Sequence, residues 1–216
     1  MGKMVFVVSN GVIDDTGFLA DQIECAGEPV IICTDGAARS MKGLDRVPDL
    51  IVGDMDSVDE ATLTYFESKG SRIIRYAAEK DETDTQIALD RAFEMEPEGI
   101  RIFGALGGRI DHALANISLL IMCLKRGIDT KIVDSNCELF AIDGPCVIDG
   151  KKGDTISLLP LSSEVKGITL KGFKYPLSGA TMEIGMPYGI SNRLTGARGT
   201  ISVESGYLLV VRQFTV

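Results

Sequence analysis

Short runs of Val, Ile and Leu recur through the first two thirds of the chain, and each gives way to a polar or glycine-rich turn before a longer segment with helical spacing. The runs are Met4–Val8, Pro29–Cys33, Leu50–Val52, Ser71–Arg75, Gly99–Phe103 and Thr130–Val133. Apolar runs alternating with helix-like segments predict βαβ units around a mostly parallel sheet. Two helix starts are signposted by a hydroxyl followed three residues later by an acid or amide, Ser57-Val-Asp-Glu60 and Thr83-Asp-Thr-Gln86. Both fit the capping box, so helices are expected from about Val58 and Asp84. A third amphipathic segment runs from about Asp111 to Lys125 and ends in basic residues that suit a helix C-terminus.

After about Cys137 the texture changes. Turn signals at Asp143-Gly-Pro145, Asp149-Gly150, Lys152-Gly-Asp154, Gly185 and Gly196 separate short alternating runs with no helical period. Strands are expected at Glu138–Ile142, Thr155–Leu159, Gly167–Lys171, Thr181–Ile184, Thr200–Val203 and Tyr207–Arg212. The fold class is therefore α/β: an N-terminal Rossmann-like sheet with helices on both faces over residues 1–137, followed by a small antiparallel β-sandwich-like domain over residues 138–216.

Composition narrows the possible functions. The chain has 216 residues, of which 45% are hydrophobic and 25% charged, proportions that support a folded core and argue against disorder. The net charge of −9, with no basic run longer than two residues, argues against a nucleic-acid partner. A small anionic substrate in such a protein needs a counter-ion. The five cysteines are odd in number and lack zinc-knuckle spacing, which fits a reducing cytoplasm. The opening run from Met1 to Asn10 is too short in apolar residues for a secretory leader, and no stretch reaches the length that spans a bilayer. With one histidine, His112, any metal must be held by carboxylates, which points to magnesium, manganese or calcium.

In an open parallel sheet, ligands bind beyond the carboxyl ends of the strands. Here those positions read Ser9-Asn-Gly11, Thr34-Asp-Gly36, Gly53-Asp-Met-Asp-Ser57, Lys80-Asp-Glu-Thr-Asp84 and Gly104-Ala-Leu-Gly-Gly-Arg-Ile-Asp-His112. Asp54 and Asp56, two apart, face the same way if the segment is extended, and Asp81 and Asp84, three apart, neighbour each other on a first helical turn. Carboxylates converging to about 4 Å without a cation repel by roughly 4 kcal/mol per pair at an effective dielectric near 20, and a divalent ion removes that conflict. Gly107-Gly108 lets a phosphate approach the backbone, and Arg109 offers a planar fork for its oxygens. Each residue also has a plainer reading. Asp54, Asp56 and Ser57 can be turn formers, Asp81 and Thr83 caps, Arg109 a solvated charge, and His112 a structural neighbour of Asp111. Acids after successive strands of one sheet favour the functional reading jointly.

Three blocks, Gly53-Asp54-Met55-Asp56-Ser57, Lys80-Asp81-x-Thr83-Asp84 and Gly107-Gly108-Arg109-x-Asp111-His112, resemble the signature blocks of the thiamine pyrophosphokinase family. The resemblance continues through Tyr175-Pro176-Leu177, Gly189-Ile-Ser191-Asn192 and Gly206-Tyr-Leu-Leu-Val-Val211. It implies transfer of the pyrophosphoryl group of ATP to the hydroxyl of thiamine, giving thiamine diphosphate and AMP. It also implies Mg2+, a cytoplasmic homodimer and active sites between subunits. By that likeness Asp54, Asp56 and Asp84 hold the metal, with Asp81 and Asp111 in support. Asp35, Ser57, Lys80, Thr83, Gly107, Gly108, Arg109 and His112 face the nucleotide, and Gln86, Ser191 and Asn192 face thiamine. Ser9-Asn10-Gly11 and Ala37 stand where many relatives have glycines. A diphosphokinase for a hydroxymethylpterin, an Asp-x-Asp sugar transferase or phosphohydrolase, and a non-catalytic nucleotide sensor are the competing expectations.

Overall fold

Six strands carry the β-branched runs of the N-terminal part: β1 (Met4–Val8), β2 (Val30–Thr34), β3 (Leu50–Gly53), β4 (Arg72–Arg75), β5 (Gly99–Phe103) and β6 (Thr130–Val133). In the computed structural model, which describes residues 3–214, they form a parallel sheet in the order β6-β5-β1-β2-β3-β4. Met1 and Gly2, at the head of the run weighed above as a leader, lie outside the described residues. Strands covered on both faces need no polar alternation, and β1 and β2 accordingly bury every residue but the first.

Among the described residues five helices cover the sheet: α1 (Thr16–Cys25), α2 (Ala38–Gly43), α3 (Glu60–Ser68), α4 (Asp84–Phe93) and α5 (Ile110–Lys125). Phe6 and Val8 share a core with Leu19 and Ile23 of α1, Met41 of α2 and Phe66 of α3. From the other face α4 lies against β1, β2 and β3, burying Ile87, Ala88, Leu89 and Ala92, and α5 lies against β6. Each fully buried Phe, Leu or Ile contributes about 1.5–3 kcal/mol. The residues named for the third segment, from Asp111 to Lys125, all fall in α5.

The expected helix start near Val58 is corrected to Glu60. Asp59 is the N-cap: its Oδ1 accepts the Thr62 N–H at 2.8 Å and its Oδ2 the Thr62 hydroxyl at 2.9 Å. A carboxylate two residues downstream displaces Ser57 as the cap, and the Ser57 hydroxyl donates instead to Asp56 at 2.8 Å. At Asp84 the expected start holds, with the Thr83 hydroxyl accepting the Gln86 N–H at 3.2 Å. Asp81 precedes that cap, so it does not share a first helical turn with Asp84. The starts of α1 and α2 were not singled out: α1 is capped by Asp15, whose Oδ1 accepts the Phe18 N–H at 2.9 Å, and α2 has six residues and no capping side chain.

Contacts divide the chain into two compact units after Ser135. The second unit is built from strands, with no helix among the described residues: β7 (Cys137–Ile142), β8 (Cys146–Asp149), β9 (Thr155–Pro160), β10 (Glu164–Lys171), β11 (Leu177–Glu183), β12 (Asn192–Arg193), β13 (Arg198–Ser202) and β14 (Leu208–Gln213). Antiparallel β12-β9-β14-β7 and antiparallel β11-β10-β13-β8 enclose one core. Phe140, Ile156, Leu158 and Val210 from one layer meet Ile148, Ile168, Met182 and Ile201 from the other. The strand expected at Thr181–Ile184 begins earlier, at Leu177, because β11 follows its long partner β10 through two register shifts. The strands β8 and β12 were not foreseen.

Candidate active site

The order of the parallel sheet reverses between β1 and β5: from β1 the chain runs outward through β2, β3 and β4, then returns to the other side of β1 as β5. At such a switch point the loops beyond the strand ends part and leave a crevice. A cleft of about 670 Å³ lies there, lined by the turns that follow β1, β2, β3 and β5 and by the start of α4. Its floor is zipped backbone to backbone. Ser9 N–H donates to the Phe103 carbonyl and Gly11 N–H to the Gly104 carbonyl, both at 2.8 Å. A Cβ on Gly11 would sit 2.3 Å from the Gly104 carbonyl oxygen, so glycine is required for this approach.

Asp35, Asp54 and Asp56 come together in the cleft, each offering an oxygen within 4.8 Å of the others. Asp54 and Asp56 converge through a turn, which corrects the expectation of an extended segment. Met55 between them is left-handed (φ 68) with its side chain buried, and Asp54 Oδ1 accepts the Asp56 N–H at 3.0 Å. Asp35 is buried at the end of β2, where Oδ1 accepts the Gly36 N–H at 2.7 Å and Oδ2 the Ser57 N–H at 3.3 Å. It thereby joins the turn after β2 to the turn after β3. Burial pushes the Asp35 carboxyl above its ordinary value, and the charges of Asp84 and Asp54 add to the rise against the pull of the Gly36 and Ser57 N–H groups. Asp54 is held low, chiefly by the Asp56 N–H. The donor set is all hard carboxylate oxygen, which fits Mg2+ or Mn2+ and suits no thiophilic metal.

The sequence placed Asp84 in the metal set and Asp35 with the nucleotide; the structure clusters Asp35 with Asp54 and Asp56. Asp84 lines the same cleft but meets the Lys80 ammonium at 2.8 Å. Ser57, Thr83, Gly107, Gly108, Arg109 and His112 also line it. Gly107 and Gly108 both lie in the left-handed region, at φ 81 and 70, turning the chain from β5 into α5. Arg109 is the N-cap of α5 without a capping side-chain bond, and its guanidinium pairs bidentately with Asp111. That partner holds the Asp111 carboxyl down at about 2. Asp81, Gln86 and Asp111 are not among the lining residues.

Several lining residues escaped the sequence reading. Ser9 and Thr85 join hydroxyls at 2.9 Å in the buried floor, and Asn116 donates from Nδ2 to the Ala105 carbonyl at 2.9 Å, pinning the loop after β5. Ser9 follows β1 and Thr34 ends β2, strand ends already marked in the sequence, whereas Asn116 lies within α5 and carries no sequence signal.

Ser191 and Asn192 belong to the second unit. Ser191 is left-handed (φ 59) and exposed, and its N–H donates to the Ser157 hydroxyl at 3.0 Å. Asn192 clamps Tyr175: Oδ1 accepts the Tyr175 N–H at 3.0 Å and Nδ2 donates to the Tyr175 carbonyl at 2.8 Å. Both residues of this clamp line an apolar hollow of about 100 Å³ together with Leu177, Met182, Tyr188 and Ile190.

A doubly wound parallel sheet whose strand ends surround clustered carboxylates and glycine turns, carried on one chain with a β-sandwich unit, is the architecture of a protein that binds a phosphorylated ligand beyond its strand ends. Residues 24–132 match the model of the thiamin pyrophosphokinase catalytic domain, and residues 145–208 that of the thiamin pyrophosphokinase vitamin B1 binding domain. A thiamine pyrophosphokinase of Bacillus subtilis is 38% identical over 77% of this chain and 78% of its own length. The crystal structure of thiamine pyrophosphokinase from Bacillus subtilis superposes with a TM-score of 0.86 at 30% identity, covering 99% of this chain and 100% of that one. That of thiamin pyrophosphokinase from Geobacillus thermodenitrificans gives 0.84 at 29% identity, covering 98% of each. The chain belongs to the thiamin pyrophosphokinase family, and it is a diphosphotransferase.

Proposed function

We propose that the chain transfers the β,γ-diphosphoryl group of ATP to the hydroxyl of thiamine, releasing thiamine diphosphate and AMP. The observation that carries this reading is the meeting of Asp35, Asp54 and Asp56 within 4.8 Å, in a cleft that also presents two left-handed glycines and Arg109. The hydroxyl oxygen bonds to the β-phosphorus as the bridge between the α- and β-phosphates breaks, AMP carries away the bridging oxygen, and the hydroxyl proton passes to a carboxylate or to solvent. Such transfers depend mostly on alignment and on offsetting charge at the non-bridging oxygens. Asp35, Asp54 and Asp56 would hold Mg2+, which when bound supplies charge neutralisation to the phosphates. Arg109 and the glycine turn bind phosphate oxygens, while Ser57, Lys80, Thr83 and His112 flank the nucleotide.

In the same reading, residues 1–137 form the catalytic part and residues 138–216 the thiamine-binding part. The hollow beside Ser191 and Asn192 takes the pyrimidine ring of thiamine, and its two exposed tyrosines, Tyr175 and Tyr188, supply the aromatic faces that a chain without tryptophan must offer. The molecule is a cytoplasmic homodimer with active sites between subunits. Exposed Ile110 and Leu114 on α5 support association. Among the described residues no helix is long and apolar enough to cross a membrane.

Purified protein given Mg2+, ATP and thiamine should yield AMP and thiamine diphosphate in equal amounts, and EDTA should abolish both. ADP or inorganic phosphate as product, turnover without thiamine, or preference for a pterin alcohol would replace this reading with one of its competitors.

A further inference from the structure

The cleft carries a marked excess of negative charge. Five carboxylates, Asp35, Asp54, Asp56, Glu82 and Asp84, line it against two permanent cations, Lys80 and Arg109. The Arg109 fork is already taken by Asp111, outside the lining. Lys80 is therefore the cation available to the acids inside, and its side chain is only 14% exposed. It lies four residues before Asp84, outside α4, so the pair is formed by the loop folding back over the helix start. The contact is close, 2.8 Å from Nζ to Asp84 Oδ1. Burial disfavours the ammonium, but Asp84, Asp54 and Asp35 outweigh it and keep the charge in place. Thr34, which lines the same cleft, is 2% exposed, and its Oγ1 finds no hydrogen-bond partner among the described residues.

We propose that Lys80 is a built-in counter-cation: its ammonium balances Asp84 and the Asp35–Asp54–Asp56 cluster in the nucleotide-free cleft, and it hands that role to the incoming metal–nucleotide while it turns to the phosphate oxygens. A lysine suits the exchange, because a point charge on a flexible four-carbon stem moves between partners that a planar guanidinium would hold by geometry. The consequence is ordered loading. Lys80 opposes a bare divalent ion at the carboxylates and favours one that arrives with its phosphates. This inference rests on the cleft being the metal–nucleotide site.

The test is a titration of nucleotide-free protein with Mn2+, read by the paramagnetic resonance of the free ion. Lys80→Met should bind Mn2+ at least about fivefold more tightly than the unaltered protein, since a single charge a few ångströms away changes binding by about 1 kcal/mol or more. Lys80→Arg keeps the charge and should return the affinity toward the unaltered value, and with Mn2+ and ATP together the order should invert, Lys80→Met binding more weakly. If Lys80→Met destabilises the fold in metal-free buffer, Lys80→Gln provides the same comparison, and recovery of its melting temperature by Mn2+ supports the proposal. Unchanged or weaker Mn2+ binding by the neutral variants overturns it. Turnover of ATP and thiamine by the unaltered protein is measured alongside: loss of AMP formation strikes at the reading of the cleft, whereas unchanged Mn2+ affinity with intact turnover strikes at Lys80 alone.

Discussion

Met55 connects local strain to chemistry. A left-handed conformation at a non-glycine residue is uncommon, and here burial of the side chain fixes it and turns Asp54 and Asp56 toward each other. The neighbouring Gly53 has the same dependence on space: at φ 149, an added Cβ would lie 2.8 Å from Asp35 Cγ. Asp56→Ala should therefore lower turnover by about 10²-fold or more, the scale of losing one electrostatic stabiliser, with the melting temperature nearly unchanged. Gly53→Ala should lower turnover by displacing Asp35 while keeping all three carboxylates. Steady-state kinetics on the two variants checks both; an active Gly53→Ala protein would show that the position of Asp35 matters little. Acids after strands were legible as residue types. Their grouping was not, because the partner of Asp54 and Asp56 comes from a different strand end.

At the scale of elements, the start of α3 shows how two nearby oxygens divide their tasks. Ser57 and Asp59 both suit a cap, and the carboxylate takes it because it satisfies the N–H and the hydroxyl of Thr62 together. That leaves Ser57 at the cleft, its N–H on Asp35 and its hydroxyl on Asp56. Asp59→Ala should lower the melting temperature by a few degrees and spare turnover, and Ser57→Ala should do the reverse. Thermal melts paired with kinetics separate the two; equal loss of stability in both would restore Ser57 as the cap. The strands of the parallel sheet were legible because their apolar runs are continuous. The starts of α1 and α2 were not, since short helices resting on a large sheet need little apolar periodicity of their own.

For the molecule as a whole, burial of thiols sets an alkaline limit. Cys33 and Cys123 are fully buried; burial raises both, Cys33 beyond the range in which it would ionise in the fold, and Cys123 from 9.0 to about 11. Their contribution is fully present below the unfolded value. As pH rises past 9.0 the unfolded chain releases protons that the folded chain retains, so stability falls, for Cys123 until about 11. A two-unit rise corresponds to roughly 2–3 kcal/mol. Denaturant melts between pH 8 and pH 11 should show this decline, and Cys123→Ala should flatten it relative to its own value at pH 8; an equal slope in the variant would assign the decline to other groups. By itself the sequence determined the two-part α/β then all-β plan and the acidic, glycine-rich strand ends, because periodicity and turn chemistry are local and act within a few residues. Only the tertiary structure decided which acids meet, that Asp35 joins Asp54 and Asp56 while Asp84 faces Lys80, and that Asn192 holds Tyr175. Those outcomes depend on strand order and on competition among hydrogen-bond donors brought together from distant parts of the chain, and no local pattern encodes that competition.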